Sequence, residues 1–138
     1  SGGYAFRGHV PDRDGILAGL FFLDMVRQTG KSPSVLLQGL YRLVGPHYYD
    51  RLDLELEAGV SARLTEVLKS LKPDAVGGLQ VEEVDRTDGV VLRLKGGSWL
   101  LYRLSGTEPL LRIYVETDTP GRVHELLAAG RALLELPG

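Results

Sequence analysis

The feature that most constrains the fold of this chain is a series of four strand-like segments between residues 79 and 116. The segments read LQVEEV, VVLRL, WLLYRL and LLRIYVE, and the joins DRTDG, KGGS and SGTEP are rich in turn-forming residues. Joins this short connect neighbouring strands as hairpins, because a parallel crossover needs about a dozen residues or more. The sequence therefore predicts a four-stranded antiparallel sheet.

Amphipathic segments flank the four strands on both sides. Ser61 opens SARLTEVLKSLKP before the sheet, and Thr119 with Pro120 opens GRVHELLAAGRALLEL after it. The order helix, four strands, helix is typical of an α+β domain whose helices lie on one face of the sheet. We assign this domain to residues 56–138.

Residues 1–55 have a different character. After the Gly-rich loop SGGYAFRGH, one helix is expected with Asp12 or Asp14 as its N-cap and Gly30 at its end, and PSVLLQGLYRLV is expected to form a second helix. Both helices have wide apolar faces, so we expect them to expose an unusually large apolar surface. The alternating stretch DRLDLELE that follows is interpreted as a strand or extended linker, and the boundary between the two parts is expected in the 50s.

The composition excludes several classes of protein. Of the 138 residues, 43% are hydrophobic and 25% are charged, which is the balance of a globular protein. A net charge of −2 disfavours nucleic acid or an anionic membrane as the main partner. No apolar run approaches the roughly 20 residues of a membrane span, and the N-terminus lacks the apolar core of a signal peptide, so we expect a cytoplasmic protein.

Other motifs in the sequence carry little functional information. TGKS at residues 29–32 lacks the upstream glycine and the preceding strand of a phosphate-binding P-loop. The chain has no cysteine, and its three histidines lack metal-ligand spacing, so we predict no metal site within it.

The hairpin RLSGTEPLLR has the residue types of an anion-binding loop. Gly106 allows a positive φ and close backbone approach, the hydroxyls of Ser105 and Thr107 can donate hydrogen bonds, and Arg103 and Arg112 offer planar donors that suit phosphate. Glu108 would repel an anion, so it is expected to face outward or to pair with an arginine. The alternative is an ordinary hairpin whose arginines form surface ion pairs of about 0–1 kcal/mol. Residue chemistry alone leaves both interpretations open.

RLSGTEPLLRIYVE resembles the phosphate-binding loop of the α-D-phosphohexomutases, the phosphoglucomutase/phosphomannomutase family. SGGYAFRGHVPDRDGILAGLFFLDMV and TGKSPSVLLQGLYRLVGPHYYDR resemble the end of the third, α/β domain of that family. The resemblance thus covers the whole chain and implies the tail of domain three (residues 1–55) followed by domain four (residues 56–138). It also implies an exit strand and a hinge within residues 50–58.

The resemblance also implies roles for particular residues. Arg103, Ser105, Gly106 and Thr107 match the positions that bind the substrate phosphate, and Arg112 is a further candidate for the same role. Ser1 matches the serine of the sugar-recognition loop, although its partner glutamate is absent, and Arg13 matches a basic residue near the transferred phosphoryl group. His9, in the same loop, is expected near the substrate.

In this family a phosphoserine exchanges phosphate with a hexose phosphate through a hexose 1,6-bisphosphate, with Mg²⁺ bound elsewhere in the enzyme. The serine loop and the Asp-rich magnesium loop have no counterpart in these residues. The resemblance therefore implies a C-terminal fragment, inactive alone, whose partners are the hexose phosphate and the N-terminal domains. The choice between glucose and mannose phosphates stays open, as do a non-catalytic relative and a free-standing anion-binding module for RNA or a phosphopeptide.

Overall fold

A computed structural model describes residues 3–57 and 59–134, and the chain divides into two compact units, Ser1–Gly45 and Pro46–Gly138. Within the described residues there are four helices and six strands. The helices are α1 (Gly15–Thr29), α2 (Pro33–Val44), α3 (Val60–Ser70) and α4 (Pro120–Ala132). The strands are β1 (Tyr48–Glu55), β2 (Ala75–Val76), β3 (Leu79–Asp85), β4 (Val90–Leu94), β5 (Trp99–Leu104) and β6 (Leu110–Thr117).

Local signals determine the ends of α1 and α2 in the first unit. The Asp14 side chain accepts a hydrogen bond from the Leu17 N–H at 2.8 Å, so Asp14 is the N-cap of α1. Gly30 ends the helix in the left-handed conformation at φ 63°, where a residue with a Cβ would be strained. Pro33 occupies the first turn of α2, as its fixed φ favours.

Neither helix of the first unit buries a residue. Large apolar side chains remain exposed along both helices, among them Ile16, Leu20, Phe21, Leu23, Leu40 and Leu43. The expectation of a large apolar surface is confirmed. None of the helices in the described part of the chain combines the length and apolar character that a membrane span requires.

The second unit contains a single antiparallel sheet in the order β1-β6-β5-β4-β3-β2. The four predicted strands form its centre as consecutive hairpins, and the α+β prediction agrees with this arrangement. The predicted number of four strands was wrong, because β1 and the two-residue β2 extend the sheet at its two edges. A two-residue strand carries too little alternation to be recognised from sequence.

Strand β1 is the stretch that the sequence analysis interpreted as an exit strand or linker. It pairs with β6 along its whole length, from Tyr48 opposite Thr117 to Glu55 opposite Leu110. Without β1, the backbone of β6 would present an unpaired edge. The hinge expected within residues 50–58 stays a prediction. The domain boundary at residue 55 stays a prediction, whereas the division into compact units follows Gly45.

The core of the second unit lies between one face of the sheet and the helices α3 and α4. Alternate residues of β4, β5 and β6 point into it, and Leu64 and Leu68 of α3 and Leu126 of α4 complete it. The Tyr102 hydroxyl donates a hydrogen bond to the Gly130 carbonyl at 2.7 Å, and burial raises the pKa of this tyrosine. The opposite face of the sheet carries the charged side chains of the candidate site.

Candidate phosphate-binding hairpin

The SGTEP segment connects β5 to β6 as an exposed hairpin, as the sequence predicts. Ser105 is half-buried, and the four residues after it are exposed. The Ser105 N–H donates to the Leu110 carbonyl at 2.8 Å, which closes the base of the loop. The loop therefore projects from the end of two paired strands that hold its base in place.

The Ser105 hydroxyl organises the backbone of this loop. Its oxygen accepts hydrogen bonds from the N–H groups of Thr107 at 3.4 Å and Glu108 at 3.3 Å. These distances are long for hydrogen bonds, so the two N–H groups are held weakly. Two amide donors and the Ser105 hydroxyl thus converge on one small region of the loop.

Gly106 does not have the left-handed conformation that the sequence analysis allowed for. Its φ lies outside the positive range that nine other glycines of the described chain occupy. A Cβ placed on Gly106 would meet no atom within 4 Å. Neither backbone strain nor crowding within the described chain therefore requires a glycine at position 106.

Arg103 and Arg112 lie directly opposite each other on β5 and β6. Directly paired residues of antiparallel strands point to the same face, and like charges in such a pair destabilise the sheet. Carboxylates flank the two guanidinium groups: Asp88 lies 3.5 Å from Arg103, and Glu108 and Asp53 lie 3.7 and 3.8 Å from Arg112. Glu108 pairs with an arginine, as expected.

Neither arginine donates a hydrogen bond to any residue that the structure describes. The Nε atom of Arg112 is buried and has no hydrogen-bond partner there. By contrast, Arg86 donates to the Leu71 carbonyl at 2.7 Å. Arg103 and Arg112 thus lie beside carboxylates at ion-pair distance but make no hydrogen bond to a described residue.

Open cavities lie beside both arginines. The one next to Arg112 has a volume of about 540 Å³, and Asp53, Glu55, Glu108 and Pro109 also line it. The one next to Arg103 has a volume of about 390 Å³. The hairpin thus combines converging donors with accessible space on both sides.

The remaining predicted site residues belong to the first unit. His9 Nε2 lies 2.8 Å from the Asp14 carboxylate. Hydrogen bonds from the Leu17 N–H and from His9 lower the pKa of Asp14. The exposed Arg13 side chain packs against Gly3, so closely that a Cβ at position 3 would overlap with it. His9 and Arg13 therefore share one loop, and Ser1 lies outside the described residues.

Two carboxylates that lie beside Arg103 and Arg112 were not predicted from the sequence. Asp53 is the register partner of Arg112 on β1, and Asp88 lies in the turn before β4. The alternation of DRLDLELE placed Asp53 on one face of a strand. Nothing in the sequence placed that strand beside β6.

The described residues contain no group of three or more His, Cys, Asp or Glu side chains arranged to hold a metal ion.

Comparison with known proteins identifies the family. Residues 55–132 match the model of the phosphoglucomutase/phosphomannomutase C-terminal domain, and residues 1–44 match that of the α/β/α domain III. A phosphoglucomutase/phosphomannomutase of Thermococcus kodakarensis is 29% identical over 98% of this chain. A phosphoglucosamine mutase of Limosilactobacillus reuteri is 34% identical over 91% of the chain.

A solved structure shows the same fold. The crystal structure of a protein from Thermus thermophilus, assigned as a phosphomannomutase, matches 99% of this chain with a TM-score of 0.72 and 34% identity. The chain covers 25% of that protein, and 27% and 24% of the two relatives above. It belongs to the phosphoglucomutase/phosphomannomutase family and corresponds to the C-terminal part of that family's enzymes.

Proposed function

We propose that the β5–β6 hairpin binds the substrate phosphate of a phosphohexomutase that interconverts hexose 1-phosphate and hexose 6-phosphate. The observation that carries the proposal is the direct pairing of Arg103 with Arg112, neither of which donates a hydrogen bond to a described residue. A phosphate dianion between two such groups would remove their repulsion and accept their hydrogen bonds.

The loop supplies the remaining contacts in this proposal. The Ser105 and Thr107 hydroxyls and the backbone amide of Gly106 would donate to the phosphate oxygens that the arginines leave free. The Thr107 N–H now donates weakly to Ser105, so a stronger acceptor can replace this contact. We refer to Arg103, Ser105, Gly106, Thr107 and Arg112 as the clamp.

The clamp contributes binding and orientation to the reaction of the parent enzyme. In the proposed cycle a phosphoserine of another domain donates its phosphoryl group to the hexose phosphate. The resulting hexose 1,6-bisphosphate reorients and returns its other phosphate. Because each phosphate occupies the clamp in turn, the clamp should recognise the charge and shape of a phosphate. Hydroxyls, amides and arginines suit that recognition. Closure over the substrate would also exclude water from the phosphoserine.

Mg²⁺ in the parent enzyme would stabilise the charge of the transferred phosphoryl group. The described residues offer no set of ligands that fits it, so in this proposal its ligands belong to other domains. Ser1, His9 and Arg13 are proposed to lie near the sugar or the transferred phosphate. A cytoplasmic location agrees with a hexose phosphate substrate.

Steady-state kinetics of the full-length enzyme test the clamp. Arg103→Ala should lower kcat/KM by about 10- to 100-fold, because a hydrogen bond to a charged group in a partly desolvated site contributes about 1.5–3 kcal/mol. Ser105→Ala and Thr107→Ala should each lower it less, since neighbouring donors remain. Arg103→Lys should recover only part of the loss, because lysine keeps the charge but not the two-pronged geometry.

Glu108→Ala is the comparison variant, and it should impair catalysis less than Arg103→Ala. A circular dichroism melting curve of each variant separates loss of function from loss of stability. A folded Arg103→Ala enzyme with wild-type kcat/KM would contradict the proposed function.

A further inference from the structure

Glu108 and a bound phosphate would compete for the same guanidinium group. The Glu108 Oε2 atom lies 3.7 Å from Nη2 of Arg112. The carboxylate thus already balances the charge of one of the two arginines in the clamp. A phosphate approaching Arg112 would meet this negative charge first.

Of the two carboxylates at Arg112, Glu108 is the one that can move. Asp53 lies on β1, is held at 2.7 Å by Arg51 Nε, and its side chain is 35% exposed. Glu108 belongs to the exposed loop, its side chain is 64% exposed, and the Arg112 pairing is beyond hydrogen-bond length. An exposed ion pair of this length is weak, so exchanging it for a phosphate requires little free energy.

We propose that Glu108 is a built-in, displaceable competitor of the substrate phosphate at Arg112. The inference rests on the proposed function and deepens it. In the ligand-free hairpin Glu108 pairs with Arg112, and the incoming phosphate takes its place. The exchange lowers the affinity of the clamp, which suits a site that must release a phosphate each time the bisphosphate reorients.

Phosphate binding to the 138-residue chain tests the proposal. Glucose 6-phosphate and inorganic phosphate are titrated while NMR follows the amide signals of residues 105–108 and the Nε–Hε signal of Arg112. Glu108→Gln should tighten Kd by about 2- to 5-fold, the equivalent of one partly exposed ion pair. The amide spectrum shows whether each variant is folded.

Two matched controls separate displacement from a general loss of negative charge. Glu55 lines the same cavity but forms no ion pair with any described residue, so Glu55→Gln should tighten Kd by a clearly smaller factor. In an Arg112→Gln background, Glu108→Gln should no longer tighten binding, because its partner is gone.

The outcomes distinguish this inference from the proposed function. If Arg103→Ala weakens phosphate binding but Glu108→Gln tightens it no more than Glu55→Gln, only the inference is overturned. The same holds if the Glu108→Gln effect persists without Arg112. If Arg103→Ala leaves binding unchanged, or the wild-type chain binds neither probe, the proposed function fails and the inference fails with it.

Discussion

Gly130 shows at the scale of a single residue how tightly α4 packs on the sheet. Its carbonyl accepts the hydrogen bond of the buried Tyr102 hydroxyl. A Cβ at this position would lie 2.5 Å from Leu100 Cδ1 and 3.3 Å from the Tyr102 oxygen. Leu100 is fully buried in the core, so it has little room to move aside.

Gly130→Ala should therefore destabilise the protein, although alanine is the better helix former. We expect a loss of about 1–3 kcal/mol from overpacking, measured by urea unfolding. Gly121 is the matched control in the same helix, where a Cβ would meet nothing within 4 Å. Gly121→Ala should leave stability unchanged or raise it by up to about 1 kcal/mol. Equal effects of the two substitutions would disprove the close packing of α4 on β5.

Strand β1 pairs with β6, the strand that carries Arg112 of the clamp. Its pairing with β6 brings Asp53 opposite Arg112, and its half-buried Leu52 and Leu54 pack against the core. The family's C-terminal domain model begins at residue 55, after most of this strand. The structural unit and the family domain therefore differ by one strand.

A chain beginning at residue 46 should be more stable than one beginning at residue 56. The shorter chain loses the apolar contacts of β1 and leaves β6 as an unpaired edge, which also favours association between molecules. We expect its unfolding midpoint to be lower by about 10 °C or more in thermal melts, with larger species in size-exclusion chromatography. Equal midpoints and elution volumes would instead favour a boundary at residue 55.

At the scale of the whole molecule, the proposed function assigns this chain the phosphate-binding part of a longer enzyme. It spans about a quarter of the length of the relatives it matches. In the proposed function the clamp residues bind and orient a phosphate, whereas phosphoryl transfer also needs a nucleophile, and the proposed phosphoserine is not among these residues. We therefore propose that phosphate binding and phosphoryl transfer belong to different parts of the full-length enzyme.

The purified 138-residue chain should show no mutase activity on glucose or mannose phosphates, with or without Mg²⁺ and a hexose 1,6-bisphosphate primer. A coupled assay that detects hexose 6-phosphate formation measures this directly. Adding the full-length enzyme to the same mixture confirms that the assay works. Turnover that co-purifies with the chain would show that it contains a phosphoryl-transfer centre of its own.

The sequence by itself determined the features that depend on neighbouring residues. Strands β4 and β5 and helix α2 have the predicted bounds, because alternation, a proline in the first turn and glycine-containing ends act within a few residues. The exposed SGTEP hairpin and the family assignment follow from the same local pattern.

The tertiary fold was needed to place β1 and β2 at the edges of the sheet and to bring Asp53 to Arg112. The pairing of β1 with β6 joins residues about 60 positions apart, and no local pattern encodes that register. The contact of Arg112 with Asp53 depends on this pairing, whereas the contact of Arg103 with Asp88 depends on the shorter-range β4–β5 hairpin. The arginines of the clamp could be identified from the sequence. Which carboxylates lie beside them without phosphate was determined by the fold, because strand register depends on the burial of a shared core.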